Sequence, residues 1–153
     1  MTHPQPPAFQ PLTGLYEPSA IQQLPDGRFL VVEDEKSHPL SVLTISASGR
    51  VDSATLTPGW LQLFSDFWKL DDLEGLALDR VGHLYAITSH SRDADGDDKP
   101  SREKLVRFRI EGDAVVAPTV VDGLKRALTE SHPVLDAAAK IADVKQDGGL
   151  NIE

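Results

Sequence analysis

A pattern of four short β-prone stretches occurs twice in this chain, the second copy displaced by 55 residues. In the first copy, residues 19–24 read as a strand and Pro25-Asp26-Gly27 as a turn. Residues 29–32 are apolar, residues 41–45 alternate, Ser48-Gly49 turns, and residues 51–57 supply a weaker fourth strand. In the second copy the strands fall at 73–78, 84–88, 105–110 and 115–121, with turns at 79–82 and 111–113. Leu105, Arg107 and Arg109 share one face of their strand, and Val106, Phe108 and Ile110 share the other. Aligned without gaps, Ser19 falls on Glu74, Gly27 on Gly82, and residues 29–32 on 84–87. Each copy is therefore expected to be a meander of four antiparallel strands, with one long polar loop between the second and third. Such units repeated every ~40–50 residues are what propeller blades require. Two unrelated meanders in a sandwich are the competing explanation.

The expected fold class is all-β: a partial β-propeller of about two blades plus the start of a third, with a short helical insertion. The boundaries read as an irregular, proline-rich arm at 1–14, blade one at 15–58, a linker at 59–70 and blade two at 71–122. A helical insertion follows at 123–147, in which Ser131 is placed to cap a second helix that has Pro133 in its first turn. Residues 148–153 then repeat the flavour of Asp71-Asp72-Leu73-Glu74 and read as the start of a third blade in a truncated chain. Propellers close with about 4–8 blades. The open sheet edges are therefore expected to pair with missing blades or with another copy. Trp60, Phe64, Phe67 and Trp68, between the blades, are expected to pack there.

Composition narrows the chemistry. With 153 residues, 40% hydrophobic and 25% charged, the chain is long and apolar enough for a domain with its own core. A net charge of −9 argues against a nucleic-acid partner and fits a cation, a basic partner or plain solubility. There is no cysteine, so disulfides, zinc–thiolate sites and cysteine nucleophiles are excluded. Neither a signal peptide nor an apolar membrane span is visible, and a cytoplasmic location is the default. A periplasmic or secreted protein already stripped of its signal would read the same. The phosphate-cradling glycine loop, the G-x-S-x-G elbow and H-E-x-x-H are all missing.

Topology selects one face. In an antiparallel meander, the start of the first strand and the end of the second lie at the same end. Glu17 and Ser19 thereby join Glu33, Asp34 and Glu35. Asp71, Asp72 and Glu74 join His90, Arg92, Asp93, Asp95, Asp97 and Asp98, and Glu153 would open a third inner strand there. These positions hold 12 of the 24 acidic residues. First strands line a propeller's channel, so Glu17, Glu74 and Glu153 are expected to converge. Converging carboxylates repel unless a divalent cation such as calcium or magnesium, or a proton, neutralises them. Alternatively, each glutamate accepts backbone hydrogen bonds at a blade junction and only fixes geometry.

The run Asp93-x-Asp95-Gly96-Asp97 is similar to the start of an EF-hand loop, but Asp98, Pro100 and Lys104 stand where glycine, an aliphatic residue and the bidentate glutamate belong. It is either an isolated calcium loop or a solvated one. His90 has the chemistry of a general base, and Arg92 that of an anion clamp. A loop anchored by hydrogen bonds is the alternative. Ser89 and Ser91 flank His90, yet neighbours on a strand point to opposite faces, so adjacency gives no Ser–His pair.

The segment Asp71-Asp-Leu-Glu-Gly-Leu-Ala77, followed by Leu84-Tyr-Ala-Ile-Thr-Ser-His-Ser-Arg92, resembles a group of bacterial propeller proteins of unknown function related to the esterase-like phytases. Phe67-Trp-Lys-Leu70, Glu103-Lys-Leu-Val-Arg-Phe-Arg-Ile110 and the closing Leu150-Asn-Ile-Glu153 extend the likeness. A looser similarity is to gluconolactonase-like six-bladed propellers, whose metal-binding glutamate sits in a Glu-Gly-Pro context; Glu17-Pro18 lacks that glycine. The resemblance implies a propeller, and beyond it a metal-dependent hydrolase of phosphoesters, esters or lactones. In that reading Glu17, Glu74 and Glu153, with Asp93, Asp95 and Asp97, hold calcium or another divalent cation, and Glu74, His90 and Arg92 are catalytic. The alternatives are a non-catalytic module that binds a small molecule or protein at the acidic face, and a structural fragment of a longer propeller. No membrane partner is expected.

Overall fold

Both four-strand patterns become sheets. The computed structural model describes residues 12–34, 37–142 and 148–152. Blade one consists of β1 (Pro18–Gln23), β2 (Phe29–Glu33), β3 (Leu40–Ile45) and β4 (Val51–Thr55); blade two of β5 (Leu73–Leu78), β6 (Leu84–Thr88), β7 (Leu105–Glu111) and β8 (Ala114–Val121). Each sheet is antiparallel with its strands in chain order, and β1 lies beside β5. The molecule is thus all-β: two consecutive propeller-type blades with adjoining inner strands. β4 is shorter than expected because Leu56 leaves the ladder to bury its side chain, although its amide still donates to Leu40 O at 2.8 Å.

Alternation dictates how the blades pack. In blade one, Leu30, Val32, Leu40 and Val42 point to one side, the front, and are buried. In blade two, Leu84, Ala86, Val106 and Phe108 point to the opposite side of their own sheet, the back, and are equally buried. Front of one and back of two meet in a single apolar core, joined by Leu56, Phe67, Trp68, Leu70 and Leu73. Each fully buried aliphatic or aromatic side chain contributes about 1.5–3 kcal/mol. The linker supplies the aromatic part: Phe67 sits edge-on to Phe108 at 5.3 Å and to Trp68 at 5.2 Å.

Half of the aromatic expectation for the linker is overturned. Trp60 and Phe64 are exposed. Gln62 explains it: its side chain donates to Val115 O at 3.0 Å and accepts from Trp68 Nε1 at 3.3 Å. The polar side chain faces the sheet, and its apolar neighbours are turned outward. Lys104 ties down the other end of the linker. It is buried, and its Nζ donates to Asp66 O at 2.7 Å and Lys69 O at 3.0 Å. Burial lowers the ammonium's pKa, against the attraction of Asp66 and Asp122.

The insertion is helical: α1 spans Leu124–Ser131 and α2 spans Pro133–Ala139. Ser131 closes α1, its hydroxyl donating back to Ala127 O at 2.7 Å. The N-cap of α2 is therefore His132, not Ser131. Among the described residues no helix is long and apolar enough to cross a membrane.

Candidate functional site

The two blades build their loop ends alike. Glu17 and Asp72, 55 residues apart, both adopt left-handed backbone, with φ of 42° and 61°. The carbonyl of Glu17 accepts from Asp34 N–H at 3.0 Å, and that of Asp72 from Ser89 N–H at 2.8 Å. One residue later the inner strand begins, and each has an irregularity at the second position, between Pro18 and Ala20 and between Leu73 and Gly75. Ser19 and Glu74 sit at these two irregularities, so the gapless alignment of the two residues marked equivalent positions. Left-handed backbone in non-glycine residues costs free energy, and both blades carry it at the same loop end.

At that end of blade two a polar network closes around Asp72. Its carboxylate accepts from Ser89 Oγ, from Ser91 Oγ at 3.1 Å, and from Arg102 Nη1 at 3.0 Å. Arg102 Nε also donates to Asp71 at 2.8 Å. Burial lowers the guanidinium's pKa, but the Asp71 hydrogen bond and the charges of Asp72, Asp71 and Asp34 more than reverse it, and the net shift is upward. Asp34 belongs to blade one. Arg102 thus stands between Asp71 and Asp72 and feels the charge of Asp34 from the other blade; these are not the glutamates expected to converge. Arg102 was missed in the sequence reading. Its position in the loop between the second and third strands, at the acidic end, was the available signal.

His90 is fully buried with left-handed backbone, φ 56°. Its Nδ1 lies 2.7 Å from Thr88 O, which makes Nδ1 the protonated nitrogen and Nε2 a bare acceptor. Nε2 has no hydrogen-bond partner among the described residues. Desolvation lowers the imidazole's pKa, against the backbone hydrogen bond to Thr88. Neither flanking serine bonds to the ring: both hydroxyls point at Asp72, as alternation required.

Arg92 is occupied as a staple. Nε donates to Ala139 O at 3.2 Å, Nη1 to Gly96 O at 2.8 Å, and Nη2 lies 3.3 Å from Asp98. It ties the loop to α2. Asp93 closes its own loop, accepting from the amides of Asp95 at 3.0 Å and Asp97 at 2.8 Å, with Lys99 Nζ at 2.8 Å. The Lys99 ammonium and these amides hold its pKa down at about 2. Asp95 and Asp97 are exposed and enter this turn through their amides. Glu74 is half-buried at its bulge and Glu17 is exposed. Glu153 and Glu35 lie outside the described residues. Among the described residues, no three His, Asp or Glu side chains gather as a cation site. The arrangement can hold a charged loop end rigid, and it presents Asp71 and Arg102, each partly exposed, at its surface.

Beside this network, a cavity of about 350 Å³ opens between the 92–103 loop and the two helices. Its cations are matched: Lys125 lies 2.8 Å from Asp98 and also pairs with Glu103, and Lys140 lies 2.7 Å from Asp136.

These features define an all-β blade pair of the propeller type with a self-neutralised polar end. Neither a protein-family model nor a curated protein matches the chain. Among solved structures, it is similar to the holo form of the pyranose dehydrogenase PQQ domain from Coprinopsis cinerea, at 18% identity and a TM-score of 0.46. The likeness covers 72% of this chain and 22% of that one, so this chain spans about a fifth of that protein's length.

Proposed function

We propose that this blade pair is a non-catalytic binding module of a propeller-type protein, with its loop end as the ligand-facing surface. The observation behind it is the commitment of the acidic groups to protein donors. Asp71 and Asp72 are held by Arg102, Ser89 and Ser91, and Asp93 by two amides and Lys99. Groups spent on mutual neutralisation suit a fixed recognition surface for a polar small molecule or a protein better than a cation cage. The test is thermal unfolding with chelator and then with calcium, magnesium or manganese, alongside turnover assays on phosphoesters and lactones. The expected result is no ion-specific rise in melting temperature and no turnover. Hydrolysis that chelator abolishes would reverse the conclusion.

One observation favours a second reading, the divalent-metal-dependent hydrolase. His90 Nε2 is a buried, unprotonated acceptor with no partner among the described residues, which is the state a general base or a metal-ligating imidazole needs. Here Glu74, His90 and Arg92 would be catalytic, and Glu17, Glu74, Glu153, Asp93, Asp95 and Asp97 would hold the cation. The resemblance to the esterase-like phytases belongs to this reading. It requires Glu74→Gln to abolish turnover while the protein remains folded.

A further inference from the structure

The acidic loop end neutralises itself, and the cavity beside it has the opposite balance of charge. Four cations, Arg92, Lys125, Arg126 and Lys140, line it against three carboxylates, Asp98, Glu103 and Asp136. In a chain of net charge −9, a concave surface with surplus positive charge runs against the whole. Its volume of about 350 Å³ falls within the span of small-molecule sites, about 300–1,000 Å³.

The walls are tied together. Lys125, 14% exposed at its side chain, joins α1 to the 92–103 loop through Asp98 at 2.8 Å and through Glu103. Burial lowers its pKa, but the hydrogen bonds and charges of the two carboxylates more than reverse this, and the net shift is upward. Arg92 joins the same loop to α2 through Ala139 O. The buried imidazole of His90, its Nε2 without a partner among the described residues, feels the charges of both Glu103 and Lys125 from behind this wall.

The surplus charge belongs to Arg126. Lys125 and Lys140 have carboxylate partners, and Arg92 is held by two carbonyls and Asp98. Among the described residues Arg126 has only Glu130, at 4.0 Å, beyond hydrogen-bond reach. Its Nη2 turns back towards Gly123, 3.5 Å from where a Cβ would stand. The first turn of α1 holds no acidic residue, and no side chain caps it. The helix dipole there adds to the charge of Lys125 and Arg126 where acids would offset it. A helix end alone would only order water. A preformed cavity with a guanidinium left over makes a site.

We infer that this cavity binds a small organic oxyanion, a carboxylate or phosphate monoester that also carries hydroxyl groups. Arg126 grips the anion as a two-pronged donor, and Lys140 adds the N–H groups that Asp136 does not use. Hydroxyls of the ligand donate to Asp98, Glu103 and Asp136, since a carboxylate accepts more hydrogen bonds than its lysine supplies. Neither Asp71 nor Arg102 lines the cavity, so this site stands or falls apart from the loop-end surface.

The experiment is calorimetric titration of the full chain at constant ionic strength with malate and with glycerol 3-phosphate, and with glycerol as the neutral control. Amide NMR shifts locate the binding. Saturable binding of at least one anion at about 1 mM or tighter is expected, with shifts at Gly123, Arg126 and Thr129. The anion that binds more tightly separates the carboxylate from the phosphate source. Arg126→Gln should weaken binding at least about tenfold, and Arg50→Gln, which removes the same charge from blade one, should leave it unchanged. Lys140→Gln takes over where Arg126→Gln loses its melting transition. The inference is overturned by no saturable binding of either anion, by glycerol binding as tightly, by equal weakening in the Arg126 and Arg50 variants, or by shifts confined to Asp71 and Arg102.

Discussion

Replacing Arg102 with methionine removes the cation between the carboxylates and keeps most of the side-chain volume. In the wild type, Nε is 2.8 Å from Asp71 and Nη1 3.0 Å from Asp72, and the arginine and aspartate side chains are 20%, 35% and 15% exposed. Exposed pairs are worth about 0–1 kcal/mol, and removing one partner of a buried pair costs about 3–5 kcal/mol. At these exposures the loss should be about 1–3 kcal/mol, with Asp72 the more stranded carboxylate despite its two serine donors. The assay is urea unfolding followed by the fluorescence of buried Trp68, with Asp72→Asn and the double variant completing a thermodynamic cycle. Asp72→Asn should recover part of the loss, giving a coupling of about 1 kcal/mol or more between the two positions. A loss below about 0.5 kcal/mol, or strict additivity, would refute the claim that Arg102 neutralises this end of the blades.

Phe108→Ala, at a fully buried position against Phe67, should cost about 3–5 kcal/mol in the same unfolding assay; a cost near 1 kcal/mol would mean that the two blades do not share a core. Asp93 should titrate in a carbon-detected NMR experiment with a midpoint of about 2. As its folded pKa lies below the unfolded 3.8, its contribution is complete above that pH and is lost as pH falls from 3.8 towards 2; a midpoint at 3.8 would dissolve the Lys99 and amide assignment. His90 is also depressed, and it is a base: below its unfolded pKa of 6.5 the unfolded chain takes up a proton that the folded chain refuses. Stability should therefore fall with pH by up to about 1.4 kcal/mol per unit until the lowered folded pKa is reached. His90→Asn, which tolerates the left-handed backbone, should flatten that slope; equal slopes in the two proteins would place the titration elsewhere.

The strand pattern was legible because a half-buried sheet imposes period two on its own sequence, and turns demand particular residues. Gly27 and Gly82, at φ of +87° and +85°, are the same turn seen twice. The helical insertion was legible in its composition, although not in its cap. The polar end was legible as a place, since strand direction alone brings Asp34, Asp71 and Asp72 to one side. What those groups do there depends on atoms distant in sequence. Arg102 comes from a loop 31 residues beyond Asp71 and reaches back to it. Arg92 is drawn off to Ala139, 47 residues away, and Gln62 to Val115, 53 residues away, which turns Trp60 and Phe64 out into solvent. Periodicity reports the direction in which a side chain leaves its strand, because the backbone sets that locally. Which charge meets which, and which aromatic is covered, is decided by packing between segments that no local pattern encodes.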